Sequence, residues 1–159
     1  MKKLSVIFTV LLICLFGVFA LGSTESGTDN QGNGSAGGEN LGKYSVTIDS
    51  CRLARDYENK PVVIVKYKFT NVSDESPAAF YIAFDDHVYQ NGVGLNEAYV
   101  LASNANYNAD NQTKEIKKGA SIDVEVAYVL NDTTTDIEVE VSEWLSFSSK
   151  TVTKTFSIK

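Results

Sequence analysis

The chain predicts an all-β domain, an antiparallel β-sandwich of about seven strands over residues 43–159. Three observations carry this. Apolar and polar residues alternate over stretch after stretch, the two-residue period of a strand with one buried face. Asn, Gly, Pro, Asp and Ser interrupt those stretches at short intervals, as turns require. No segment after residue 42 sustains the 3.6-residue period of an amphipathic helix. A single sheet of this kind would leave an apolar face in water, so two sheets must pack face to face.

The first strand starts at Tyr44, with Val46 and Ile48 in phase. The next apolar positions, Cys51 and Leu53, are out of phase, and one extra residue near Asp49 or Ser50 restores the alternation; this predicts a β-bulge. Arg55 to Pro61 is polar and turns into the second strand, Pro61 to Thr70, where Val63, Val65, Tyr67 and Phe69 share a face. After a loop at Asn71 to Pro77, Phe80, Ile82 and Phe84 open a third strand that reaches Tyr89. Asn91-Gly92 is a strong hairpin signal, with Leu95 to Leu101 as a weaker return strand. The Asn-rich run Ser103 to Gln112 reads as loop, and Ile116 to Gly119 as a turn.

The clearest strand follows. Ile122, Val124, Val126, Tyr128 and Leu130 alternate with Ser121, Asp123, Glu125, Ala127 and Val129. Each fully buried Val, Ile or Leu contributes roughly 1.5–3 kcal/mol before conformational entropy is counted. Asn131 to Thr135 turns into Ile137, Val139 and Val141, with Trp144, Leu145 and Phe147 extending that strand or its exit. Val152, Phe156 and Ile158 mark the last strand.

Ahead of the domain lies an address. Lys2 and Lys3 precede an apolar run from Leu4 to Leu21, and Ala20 and Gly22 are the small residues of a cut before Ser23. Residues 1–22 therefore read as a signal peptide, or as an uncleaved anchor, because the run nears the ~20 residues of a membrane span. Residues 23–42 are rich in Gly, Ser, Asn and Thr and read as a disordered linker. The net charge of −6 argues against nucleic acid, whose phosphates need a basic surface. Of the two cysteines, Cys14 falls in the leader, so a cleaved chain keeps Cys51 alone and forms no internal disulfide.

Four blocks in order, RDYENKPVVIVKYKFTNVSDE, YQNGVGLNEAYV, KEIKKGASIDVEVAYVLNDTT and IEVEVSEWLSF, resemble the domain of unknown function 5067 over roughly Tyr44 to Ile158. The resemblance implies a small immunoglobulin-like sandwich on secreted or lipid-anchored proteins of Gram-positive bacteria. It implies no activity. Many relatives carry a lipobox cysteine where this chain has Ser23.

No stretch is a catalytic or cofactor signature. His87, between Asp86 and Val88, is the single histidine, too few ligands for zinc. Asp86 falls in phase with Phe84 and Val88, which points to a bulge or a hydrogen-bonded buried acid. Asn104, Asn106, Asn108, Asp110, Gln112 and Glu115 have the spacing of a calcium loop, but Ala109 replaces its turn glycine and no helices flank it. Cys51 alternates like a core residue, with no base near it in sequence. Tyr81, Tyr89, Tyr99 and Tyr107 are the candidate ligand-binding residues, an aromatic platform weighed against plain strand packing.

The reading is an exported, cell-surface, monomeric module without enzyme activity, cofactor or metal, which binds an envelope protein or glycan. It touches the membrane only through an uncleaved N-terminal anchor. An accessory envelope domain with no small ligand is the alternative, and a hydrolase with an unrecognised site is the third.

Overall fold

The computed structural model describes residues 38–101 and 106–159. The predicted signal peptide, 1–22, and the linker up to residue 37 lie outside the described residues. Eight strands are described: β1 (Glu39–Asn40), β2 (Tyr44–Arg55), β3 (Pro61–Asn71), β4 (Phe84–Gln90), β5 (Val93–Gly94), β6 (Ser121–Val129), β7 (Ile137–Glu143) and β8 (Thr151–Phe156). They form two four-stranded antiparallel sheets, ordered β1-β2-β3-β6 and β5-β4-β7-β8. With β2, β3 and β6 in the A, B and E places, and β5, β4, β7 and β8 in the C′, C, F and G places, this is the strand order of an immunoglobulin-like sandwich.

The alternation read from the sequence sets which side chains face inward. Val63, Val65, Tyr67 and Phe69 of β3 and Val124, Val126 and Tyr128 of β6 meet Phe84 and Val88 of β4 and Ile137, Val139 and Val141 of β7 in one core. Rings of Tyr44, Phe69, Phe80 and Phe84 close one end of it, edge-on or tilted, with centroids 5.3–6.2 Å apart. A smaller cluster of Val62, Ile64, Val100, Tyr107 and Ala127 sits on the outer face of the first sheet. It explains why β3 opens with an unbroken apolar run.

The predicted bulge is present: Ile48 pairs with Tyr67 and Ser50 with Lys66, leaving Asp49 unmatched. Lys154 of β8, in register with Val139 of β7, reaches across and donates to the carbonyls of Ile48 and Asp49, each at 2.8 Å. One ammonium thus ties the edge of the second sheet to the bulge in the first. The Asn91-Gly92 hairpin also forms, with φ of +50° and +72°, the left-handed pair of a two-residue turn.

Three segments differ from the expectation. Phe80–Ala83 is one helical turn, α1, rather than the start of a strand. The Ala79 carbonyl accepts from the amides of Ile82 and Ala83, burying Phe80 and Ala83 and turning Tyr81 and Ile82 outward. One turn is too short to show a helical period. Leu95 to Leu101 is not a return strand beyond β5. After the Leu95 amide bonds to Val88, the chain crosses to the first sheet, where Asn96 and Ala98 pair with Val129 and Ala127 on the edge of β6. Finally, ordered structure begins ahead of Lys43. Glu39 and Asn40 pair with Val46 and Ser45, and Leu41 is buried in the core. Their Gly- and Asn-rich surroundings hide this in the sequence.

Candidate functional site

Lys154 closes the β2–β8 side of the sandwich. On the opposite side, β6 and β4 stand apart, and α1 and the crossing residues 95–97 frame a cavity of about 390 Å³. The 3-10 turn Ala109–Gln112 contributes Gln112 to its wall, and the end of β7 contributes Trp144. Asp86 is at its floor. The Tyr128 hydroxyl donates to Asp86 Oδ2, and the Tyr67 ring packs beside it, 5.1 Å from Phe80. Asp86 is packed on nearly every side yet keeps some surface open to the cavity. Burial pushes its pKa above the ordinary carboxylate range, while the Tyr128 hydroxyl pulls the other way. Burial likewise holds the Tyr67 and Tyr128 phenols well above their usual range. His87 borders the cavity at its edge rather than at this floor. It alternates to the outer face of β4, where Nε2 lies 3.3 Å from Asp85 Oδ1.

Next to the cavity is an apolar tip. The Ser146 amide bonds to the Glu143 carbonyl, making a turn whose third residue, Leu145, has φ of +53°. That position favours Gly or Asn. With Leu there, the side chain is thrown outward and is 84% exposed; Phe147 is fully exposed and Trp144 and Ile82 about half so. These four side chains, with Lys43 and Tyr44, border a groove of about 390 Å³. The chain enters the domain at this same end, because the Lys43 amide donates to Glu143 Oε2 at 3.0 Å. A larger hollow of about 600 Å³ lies at the β2–β3 hairpin, but its polar groups are engaged locally. Asp56 accepts from the Glu58 and Lys60 amides, and Arg55 donates to the Asn59 carbonyl.

The four candidate tyrosines fall in different places. Tyr81 stands exposed on α1 at the cavity mouth. Tyr89 lies on the outer face of the second sheet, 6.1 Å from the His87 ring. Tyr99 is exposed and meets Tyr57 edge-on at 5.9 Å. Tyr107 is buried on the outer face of the first sheet, its hydroxyl taking a hydrogen bond from Gln112. Tyr89 and Tyr107 thus face away from each other across the whole sandwich.

The Asn-rich loop is pinned to the first sheet. Gln112 donates to the Glu125 carbonyl at 2.6 Å and Asn111 to the Asp123 carbonyl at 2.8 Å, while Glu125 accepts from the Asn108 amide. Arg52 grips both oxygens of Glu125. Burial raises the Glu125 pKa, but the Arg52 guanidinium and the Asn108 amide outweigh it and the net shift is downward. Asn104 lies outside the described residues, and the Gln112 amide nitrogen donates to the Tyr107 hydroxyl and the Glu125 carbonyl. Among the described residues no three His, Cys, Asp or Glu side chains could hold a metal. Cys51 packs half-buried against the core; burial raises its thiol pKa and Lys154 partly opposes this.

Sequence reasoning flagged Asp86 as a buried acid but missed its cavity, whose walls come from five separate segments. It also placed Trp144, Leu145 and Phe147 on a strand or its exit. The missing signal was Leu at a turn position.

No curated protein and no solved structure matches this chain. One family model matches, over residues 23–143, ending with β7 and leaving out β8. That span covers most of the sequence, and the chain belongs to the family of the domain of unknown function DUF5067.

Proposed function

We propose that this protein is an exported, non-enzymatic binding module that contacts an envelope protein or glycan through the apolar tip formed by Ile82, Trp144, Leu145 and Phe147. One observation carries this reading: a leucine held at a left-handed turn position with its side chain in water, beside a fully exposed phenylalanine. A non-Gly residue there costs about 1–3 kcal/mol and persists where the surroundings impose it. Large exposed apolar side chains gathered at one place mark interaction surfaces, and Trp is the residue most enriched in binding hot spots. The apolar leader at 4–21 supports export.

The test is capture of envelope proteins and glycans by the full chain, compared with the double variant Trp144→Ala/Phe147→Ala and with Tyr99→Ala. Tyr99 sits with Tyr57 by the β2–β3 hairpin, at the other end of the 12-residue strand β2. At about 3.3 Å per residue, that is roughly 35–40 Å away. The reading expects the double variant to lose at least tenfold in retention and Tyr99→Ala to bind as the parent does. Equal capture by all three would favour the accessory domain with no contact at this tip.

A further inference from the structure

The cavity beside the tip has a different chemistry, although Trp144 borders both. We propose that the cavity between β4 and β6 binds an alkylammonium group. Five aromatic side chains line it: Tyr81 and Trp144 stand half-exposed at its mouth, Phe80, Phe84 and Tyr128 back it from the buried side, and Asp86 and Glu97 border it. Among the described residues none of its lining side chains is Lys or Arg. Asp85, also at its edge, is already matched with His87. The open rings of Tyr81 and Trp144 beside Asp86 and Glu97, with His87 the one basic side chain in the lining and turned to Asp85, suit an organic ammonium, which offers the rings a positive charge and an apolar body. A metal ion suits it less, because a hard cation requires six or more oxygen ligands.

A second observation points the same way. The Tyr67 hydroxyl is fully buried, sits beside Asp86 and Tyr128, and has no hydrogen-bond partner among the described residues. Leaving such a group unsatisfied costs about 1–3 kcal/mol. The Asp86 carboxylate receives Tyr128 on Oδ2 and turns its remaining capacity toward the cavity. The floor thus holds an acid with acceptor capacity left over beside a tyrosine hydroxyl that does not fill it. An ammonium group brings up to three N–H donors, and the open side of Asp86 can accept from it. Asp86 faces Tyr67 of β3, Tyr128 of β6 and Glu97 of the crossing segment, with His87 and Asp85 beside it on β4. A positive guest favours the ionised form of Asp86, so binding tightens as pH rises through the titration of that carboxyl.

Trp144 is the single tryptophan of the chain and lines the cavity, so its fluorescence reports occupancy directly. The full chain is titrated with choline, with Nα-acetyl-lysine amide and with neutral 1-butanol. A saturable emission change with either cation, absent with the alcohol, is expected; the stronger of the two identifies a quaternary or a primary ammonium as the natural guest. Glu97→Gln, at the exposed rim, lowers affinity about tenfold, corresponding to about 1.4 kcal/mol. Asp86→Asn lowers it at least as much. Should Asp86→Asn fail to fold, the rim variant alone decides. Phe147→Ala, outside the cavity, leaves ammonium affinity unchanged, which separates this result from the fate of the tip. No saturable response to either cation, an equal response to 1-butanol, or unaltered affinity in Glu97→Gln overturns the proposal.

Discussion

At the scale of single residues, the buried polar groups set the stability of the domain. Gln90 is fully buried, yet all of its amide is engaged. Nε2 donates to the carbonyls of Asp132 and Thr135 and Oε1 accepts from the amides of Asn131 and Asp132, tying the end of β4 to the β6–β7 turn. Gln90→Ala leaves several of these groups unpaired and lowers unfolding free energy by about 1–3 kcal/mol, measured by urea denaturation. Two aspartates act on pH dependence with opposite signs. Asp132 accepts from the Thr134 and Thr135 amides and hydroxyls, which lower its pKa to about 2. A depressed folded pKa gives stability that is present above the ordinary carboxylate pKa and lost as pH falls toward 2. Asp86 is raised by burial, so its contribution is present below the ordinary carboxylate pKa and lost as pH rises through its folded value. Urea midpoints followed across acid pH should therefore flatten on the acid side in Asp132→Asn. In Asp86→Asn they should gain on the wild type as pH rises. A parallel pH profile in all three proteins contradicts these assignments.

At the scale of elements, periodicity was legible wherever a strand had one wet face. β6 is the clearest case: Val124, Val126 and Tyr128 point into the core as their spacing required. Val126→Asp places an unpaired charge there and abolishes folding, read as loss of the cooperative melting transition. The phase slip before Cys51 was enough to locate the bulge, because a single extra residue inverts every later side chain. What escaped was non-periodic. α1 has four residues, too few for a helical pattern to emerge. The segment after Gly94 changes sheets, and neither half of it is long enough to alternate. The Trp144–Phe147 stretch reads as the strand or its exit, and it is the exit, where the Glu143–Ser146 turn exposes its side chains, which the apolar sequence did not show. Leu145→Gly relieves the left-handed backbone and raises stability by about 1 kcal/mol, seen in the thermal midpoint, while weakening capture at the tip.

At the scale of the whole molecule, the sandwich is closed along one side and open along the other. Lys154 on the bulge carbonyls draws β8 toward β2, and its ammonium also lies 4.8 Å from the Phe156 ring. An inward lysine on an edge strand also keeps that edge from pairing with a second chain. On the open side the fold leaves the cavity with Asp86 at its floor, and the apolar tip adjoins it through Trp144. Neither site was visible as a motif, because each is assembled from side chains far apart in sequence. The proposed contact surface is the apolar tip. Amide hydrogen exchange of the full chain, with and without the captured envelope component, tests this most directly. Protection confined to residues 80–83 and 143–147 is the predicted result. Protection at the β2–β3 hairpin, residues 56–60, with none at the tip would contradict it.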